Sequence, residues 1–198
     1  FEEKRIALLR KVTAYLLRDD VLKPSFRQLA IAADSSEPTL RHYFGNRSGV
    51  IVEAFRLIYR ESEHLRDVLR QPEADCSRAV MGYLDYVETL AKNERYVQTH
   101  VLGIRESLED EDVKEAYLTL FVGPGLEALA ERLVKTPGPP DTEDEARSAA
   151  MMIISASVTM ILHQEVLNGR KFMPMDRKAY LDQFGHWFLT GLKNSGQD

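Results

Sequence analysis

Cysteine occurs once in the 198 residues, as Cys76. A lone cysteine excludes an internal disulfide and leaves no thiolate cluster for a metal. Nothing beside it in sequence marks an activated thiolate, so it reads as a small, half-buried side chain. Also missing is any apolar run of the roughly 18 residues expected of a membrane span. No secretory signal is read at the N-terminus, so a cytoplasmic protein is the expectation. The signatures of catalysis are missing as well. His42, His64, His100, His163 and His186 are scattered, with no pair spaced as in H-E-x-x-H. There is no nucleophile elbow, phosphate loop or dinucleotide fingerprint. Asp110 and Asp112 lie in a charged run and read as solvated. No catalytic or metal-ligating residue is assigned, no cofactor is expected, and the expectation is a protein that is not an enzyme.

An excess of positive charge is the last absence: the chain carries a formal charge of −5. Its distribution matters more than its sum. Residues 1–60 hold eleven Lys/Arg against seven Asp/Glu, whereas residues 61–198 hold fifteen against twenty-four. Phosphate responds to the local field, so a basic head on an acidic body is compatible with nucleic acid. The remaining composition, 44% hydrophobic and 29% charged, is that of a globular chain with core enough for one or two domains.

What is present is concentrated in Ser25–Arg47, SFRQLAIAADSSEPTLRHYFGNR. Ser25 is a hydroxyl cap candidate, and Leu29, Ala30 and Ala33 follow at helical spacing. Asp34-Ser35-Ser36 supplies a turn through short oxygen-bearing side chains. Ser36 then caps a second helix over Glu37–Tyr43, with an acid in its first turn and Pro38 where a missing N–H costs little. Leu40 and Phe44 turn inward. Small Ala30 and Ala33 let the two helices cross closely, as a helix-turn-helix requires.

These residues resemble the DNA-binding domain of the tetracycline-repressor (TetR) family of bacterial regulators. The resemblance rests on Thr39-Leu40-Arg41-His42-Tyr43-Phe44, Asn46-Arg47, an apolar helix from Val50, and the preceding Ser25-Phe26-Arg27-Gln28-Leu29-Ala30. It covers roughly residues 6–58. Some positions depart from the family pattern. Asp34 stands where glycine is usual, and it tolerates left-handed backbone better than most residues. Ser35 replaces an apolar residue, Arg41 a tyrosine that touches DNA backbone, and Glu37 a lysine or glutamine.

The second helix of such a unit enters the major groove. The candidates for base contacts are Arg27, Glu37, Pro38 and Thr39. The candidates for phosphate contacts are Ser25, Ser36, Arg41, His42, Tyr43, Asn46 and Arg47. For Ser25 and Ser36 capping is the plainer role, and for Tyr43 packing between helices.

The rest of the chain reads as helices. One runs from about Glu2 to Arg18. A long one from about Asn46 to Leu69, sustained by Ile51, Phe55, Ile58 and Leu65, would link two domains. Others cover Ala74–Ala91 and Arg95–Ser107, then a stretch from Glu109 to Leu133 that Gly123-Pro124-Gly125 should kink. Ala149–Leu162 is apolar nearly all round and too short to cross a bilayer, so it must be covered on every side. The last helix, Asp176–Leu192, carries an aromatic stripe. The expected fold class is therefore all-α, with a helix-turn-helix domain over residues 1–45 and a helical ligand-binding and dimerisation domain over 46–198.

Two terminal helices from each subunit would build a four-helix dimer interface, as the resemblance also implies. Its candidates are Ile153, Ile161, Tyr180, Phe184, Trp187 and Phe188. The resemblance further implies a pocket for a small-molecule effector. Tyr83, Tyr86, Tyr96, His100, Arg105, Tyr117, Phe121, Met152 and Ser155 are its candidates, and each fits a plain core role equally well. The leading expectation is a homodimeric, ligand-responsive regulator, most simply a repressor, of palindromic operator DNA. Glu37 and Ser35 keep open a second one, a helical small-molecule-binding protein whose DNA-binding head is degenerate.

Overall fold

A computed structural model describes residues 2–194, and every regular element among them is a helix. In order these are α1 (Glu2–Leu16), α2 (Phe26–Ala32), α3 (Glu37–Phe44), α4 (Arg47–Glu61), α5 (Glu63–Leu69), α6 (Cys76–Leu90) and α7 (Glu94–Ser107). Then come α8 (Glu111–Tyr117), α9 (Gly123–Lys135), α10 (Glu143–Ile161), α11 (Gly169–Phe172) and α12 (Arg177–Asn194). The all-α expectation holds. The chain divides into two compact units, one of residues up to Glu63 with Gln98–Gly123, the other of His64–Val97 with Pro124 onward.

That division differs from the boundary at residue 45 read from the sequence, and the core of the first unit explains why. Leu9, Val12 and Leu16 of α1, Leu29 of α2 and Leu40 of α3 bury against Ile51 and Phe55 of α4. Leu102 of α7 and Val113, Ala116 and Tyr117 of α8 join the same cluster. The three-helix head is thus completed by residues sixty positions downstream, and burying their apolar area is what makes the unit compact.

The expected long helix from Asn46 to Leu69 is two helices. Ser62 ends α4, its hydroxyl donating to the carbonyls of Ile58 (2.8 Å) and Tyr59 (3.2 Å). Such back-bonding competes with the helical ladder. The expected kink at Gly123-Pro124-Gly125 takes the form of a π-turn over Leu118–Val122, in which the Gly123 N–H reaches the carbonyl of Leu118. Pro124 has no N–H to give the next turn, and its ring would crowd the carbonyl four residues back; the wider turn relieves both.

In the second unit α6 packs on α12, and α10 on α12. Asp75 caps α6 by accepting from the Arg78 N–H at 2.8 Å. Thr142 and Glu145 form a capping box at the start of α10. With the π-turn that follows it, α10 becomes a 24-residue helix, Glu143–Val166, long and apolar enough by length and composition to cross a membrane. The apolar run alone was too short for that; the acidic first turn and the π-turn supply the extra length. Ala146, Ala149, Ala150, Ile153, Ile154 and Ile161 lie in this unit's own core, and 39% of the most apolar 18-residue window of the helix is buried.

This placement corrects part of the dimer expectation. Ile153 (0% exposed) and Ile161 (2%) are enclosed within their own unit and have no surface to offer a partner. Tyr180, Phe184 and Phe188 are half-buried, and Trp187 is 68% exposed. On α10 the exposed apolar side chains are Met151 and Met152.

Candidate nucleic-acid interface

The two short helices of the head are defined by local hydrogen bonds. Ser25 caps α2: its Oγ accepts from the Gln28 N–H, while the Gln28 side chain accepts from the Ser25 N–H at 2.8 Å. Ser36 caps α3 by accepting from the Thr39 N–H at 3.3 Å, and its hydroxyl lies 2.9 Å from that of Thr39. Asn46 caps α4 by accepting from the Gly49 N–H at 2.8 Å. Gly49 is required there, since a Cβ would sit 2.1 Å from the carbonyl oxygen of Phe44. Such caps satisfy donors that a helix start leaves open.

Between α2 and α3 the chain turns through Asp34 at φ 51°, in the left-handed region. The Asp34 carboxylate is held by Lys11 Nζ at 2.7 Å, and this hydrogen bond keeps its pKa below the ordinary range. A position that usually wants glycine is thus occupied by a residue anchored from α1.

Leu40 and Phe44 face the core, which turns the opposite side of α3 outward. Ser25, Arg27, Ser36, Pro38, Arg41, His42 and Asn46 are exposed, and Glu37, Thr39 and Tyr43 are half-exposed. The Arg41 guanidinium lies over the Phe26 ring at 5.0 Å, a stacking contact that steadies it while leaving it in solvent. The His42 ring meets Tyr43 edge-on at 5.2 Å. Among the described residues neither Arg27 nor Arg41 has an acidic partner within ion-pair distance.

Arg47 is placed differently from the other phosphate candidates. Its Nε–H donates to the Pro24 carbonyl at 2.8 Å, and its two terminal nitrogens fork onto Glu106 at 2.6 and 2.9 Å. Arg105 approaches the same carboxylate at 3.2 Å and donates to the Val21 carbonyl at 3.1 Å. Burial pushes the Glu106 carboxyl up, but the Arg47 fork and Arg105 outweigh it and hold it below its usual value. Two acids in the link from α7 to α8 also engage the head: Lys23 pairs with Glu109, and the Ser48 hydroxyl donates to Asp110. Asp110 also caps α8 through the Val113 N–H at 3.1 Å. Sequence reasoning took Asp110 as a solvated member of a charged run. The partners of these acids, roughly sixty residues upstream or more, leave no local signal.

The ligand candidates fall in both units. His100, Tyr117 and Phe121 come together in the first unit with Phe55. His100 Nδ1 lies 2.8 Å from the Tyr117 hydroxyl, and its ring meets Phe121 edge-on at 4.8 Å. Burial lowers the His100 pKa to about 4 and raises that of Tyr117 to about 12, so both are neutral at pH 7. Arg105 is turned to Glu106 and Val21 instead. In the second unit Tyr83 is buried, Tyr86 and Tyr96 are half-buried, and Met152 and Ser155 are exposed on α10. The nine candidates are thus divided between the two units.

Comparison with solved structures finds a similar fold in a regulator. The chain matches the structure of the fatty acid degradation regulator FadR from Bacillus halodurans with a TM-score of 0.63, over 94% of both chains and at 16% identity. At that identity the likeness is one of fold. No protein-family model matches the chain, and no curated protein matches its sequence.

Proposed function

We propose that this chain is a ligand-responsive transcriptional regulator of the tetracycline-repressor type. In this reading it is a cytoplasmic homodimer that represses by binding palindromic operator DNA. The observation that carries the reading is the cap-to-cap α2–α3 pair, its inner face sealed by Leu29, Leu40 and Phe44 and its outer face presenting Arg27, Pro38 and Arg41. The fold shared with FadR of Bacillus halodurans supports it.

Arg27, Glu37, Pro38 and Thr39 are assigned to base edges. Arginine suits guanine, and the proline ring or threonine methyl suits a thymine methyl. Ser25, Ser36, Arg41, His42, Tyr43 and Asn46 are assigned to phosphates. The effector is assigned to the aromatic group of His100, Tyr117 and Phe121, and the dimer to α10 and α12 through Met152 and Trp187. A ligand acts by binding one state of the head better than another.

The direct experiment selects duplexes from a random library with the wild-type chain and measures their affinity across salt concentrations. R27A/R41A should bind at least about tenfold more weakly and with a shallower salt dependence, because two cationic contacts are gone. Equal, weak binding of every duplex by both proteins refutes the DNA-binding assignment. The second reading, a small-molecule-binding protein with a degenerate head, draws on the same acids that occupy Lys11, Lys23 and Arg47. It is the reading left standing by that negative result.

A further inference from the structure

Lys23 lies just before α2, and Arg47 and Ser48 open α4, so these groups bracket the helix-turn-helix on both sides. A duplex lying against α3 would present phosphates to such bracketing donors. In this structure each of them already faces a carboxylate from one short stretch, the last turn of α7 and the link to α8. Arg47 forks onto Glu106, Lys23 pairs with Glu109, and Ser48 donates to Asp110. Three acids within five residues thus take the places that three phosphate oxygens would take. Arg105 adds the element that makes exchange feasible. It stays 3.2 Å from the Glu106 carboxylate, so the nearly buried charge keeps a cationic partner when Arg47 leaves.

We infer that the end of α7 and its link to α8 form an acidic clasp that mimics phosphate and holds Arg47 and Lys23 away from DNA until it is displaced. The inference rests on the DNA-binding reading above and names the regulation of that same site. In the clasped state Arg47 contributes nothing to operator affinity; in the released state it adds a phosphate contact. Any effector that shifts the end of α7 therefore changes the number of cations available to the duplex.

The experiment is a double-mutant cycle on Arg47 and Glu106, read as anisotropy of a duplex selected by the wild-type protein. R47A should change affinity less than about twofold in the wild-type background. In the E106Q background it should weaken binding at least about tenfold and lower the salt slope by about one. Equal losses in the two backgrounds overturn the clasp. The change of net charge cancels around the cycle, so coupling is its only readout. Because Glu106 is buried, thermal melting checks that E106Q folds.

Lys23 and Glu109 are both well exposed and give an independent cycle. K23A should cost more in E109Q than in the wild type, and additivity there, with E106Q unfolded, also overturns the proposal. Where no duplex separates the wild type from R27A/R41A, operator reading fails by itself. The two cycles are then read as salt of elution from a sulfated polyanion. Coupling there still supports the clasp, and additivity overturns it.

Discussion

His100 shows how one buried side chain acquires a pH signature. Desolvation by burial disfavours its charged form, so its pKa falls from 6.5 to about 4. The unfolded chain, whose histidine titrates near the ordinary value, binds the extra proton first as pH drops. Stability from this group is therefore complete above about 6.5 and is lost progressively down to about 4. The whole loss is on the order of 3 kcal/mol, from a shift of roughly two and a half units. Melts of wild type and His100→Phe over pH 7–4 should converge as the pH falls, because the variant has no such proton to bind. A parallel pair of curves contradicts the assignment. His100 was named from the sequence as a pocket candidate, but its environment is decided by Tyr117 and Phe121, seventeen and twenty-one residues away.

At the scale of elements, the junction of α7 and α8 depends on a single missing atom. A Cβ on Gly103 would come 2.1 Å from the Tyr117 ring, which is packed between Phe55, His100 and Phe121 and has nowhere to retreat. Gly103→Ala gains helix propensity worth up to about 1 kcal/mol, yet overpacking typically costs about 1–3 kcal/mol. The expected outcome is a lower melting temperature, with the His100–Tyr117 contact disturbed in NMR spectra. An unchanged or raised melting temperature would show that the two helices can part without cost. The clasp belongs to this same junction, so the close approach of α7 to α8 also sets where Glu106 and Asp110 sit.

On the scale of the whole molecule, the terminal helices sort into residues that hold their own unit together and residues free to meet a partner. Ile153 is fully enclosed, and Ile153→Ala should destabilise the chain by about 2–4 kcal/mol through the cavity it leaves. Trp187 and Met152 are largely exposed, so W187E/M152E should leave the melt of the isolated chain nearly unchanged while converting the proposed dimer to a monomer. Light scattering after gel filtration measures the second effect and calorimetry the first. A variant that stays dimeric moves the proposed interface elsewhere.

The sequence by itself determined the helix-turn-helix and its ends. A cap such as Ser25, Ser36 or Asn46 closes its hydrogen bond within three residues, and the small turn at Asp34 needs only a residue that accepts left-handed backbone. Such interactions are complete within a single turn of chain, so residue types in order are enough to read them. The all-helical class was legible for the same reason, from the spacing of apolar positions. The stop at Ser62 was missed because the apolar period runs straight through it to Leu65, while a serine's back-bonding depends on which carbonyls lie nearby.

Only the tertiary structure decided that Arg47 faces Glu106 rather than solvent, that α7 and α8 complete the core of the head, and that Ile153 is inside while Met152 is outside. Each of these depends on which distant segment packs alongside. α10 is apolar on nearly every side, so its periodicity could not say which face would be covered.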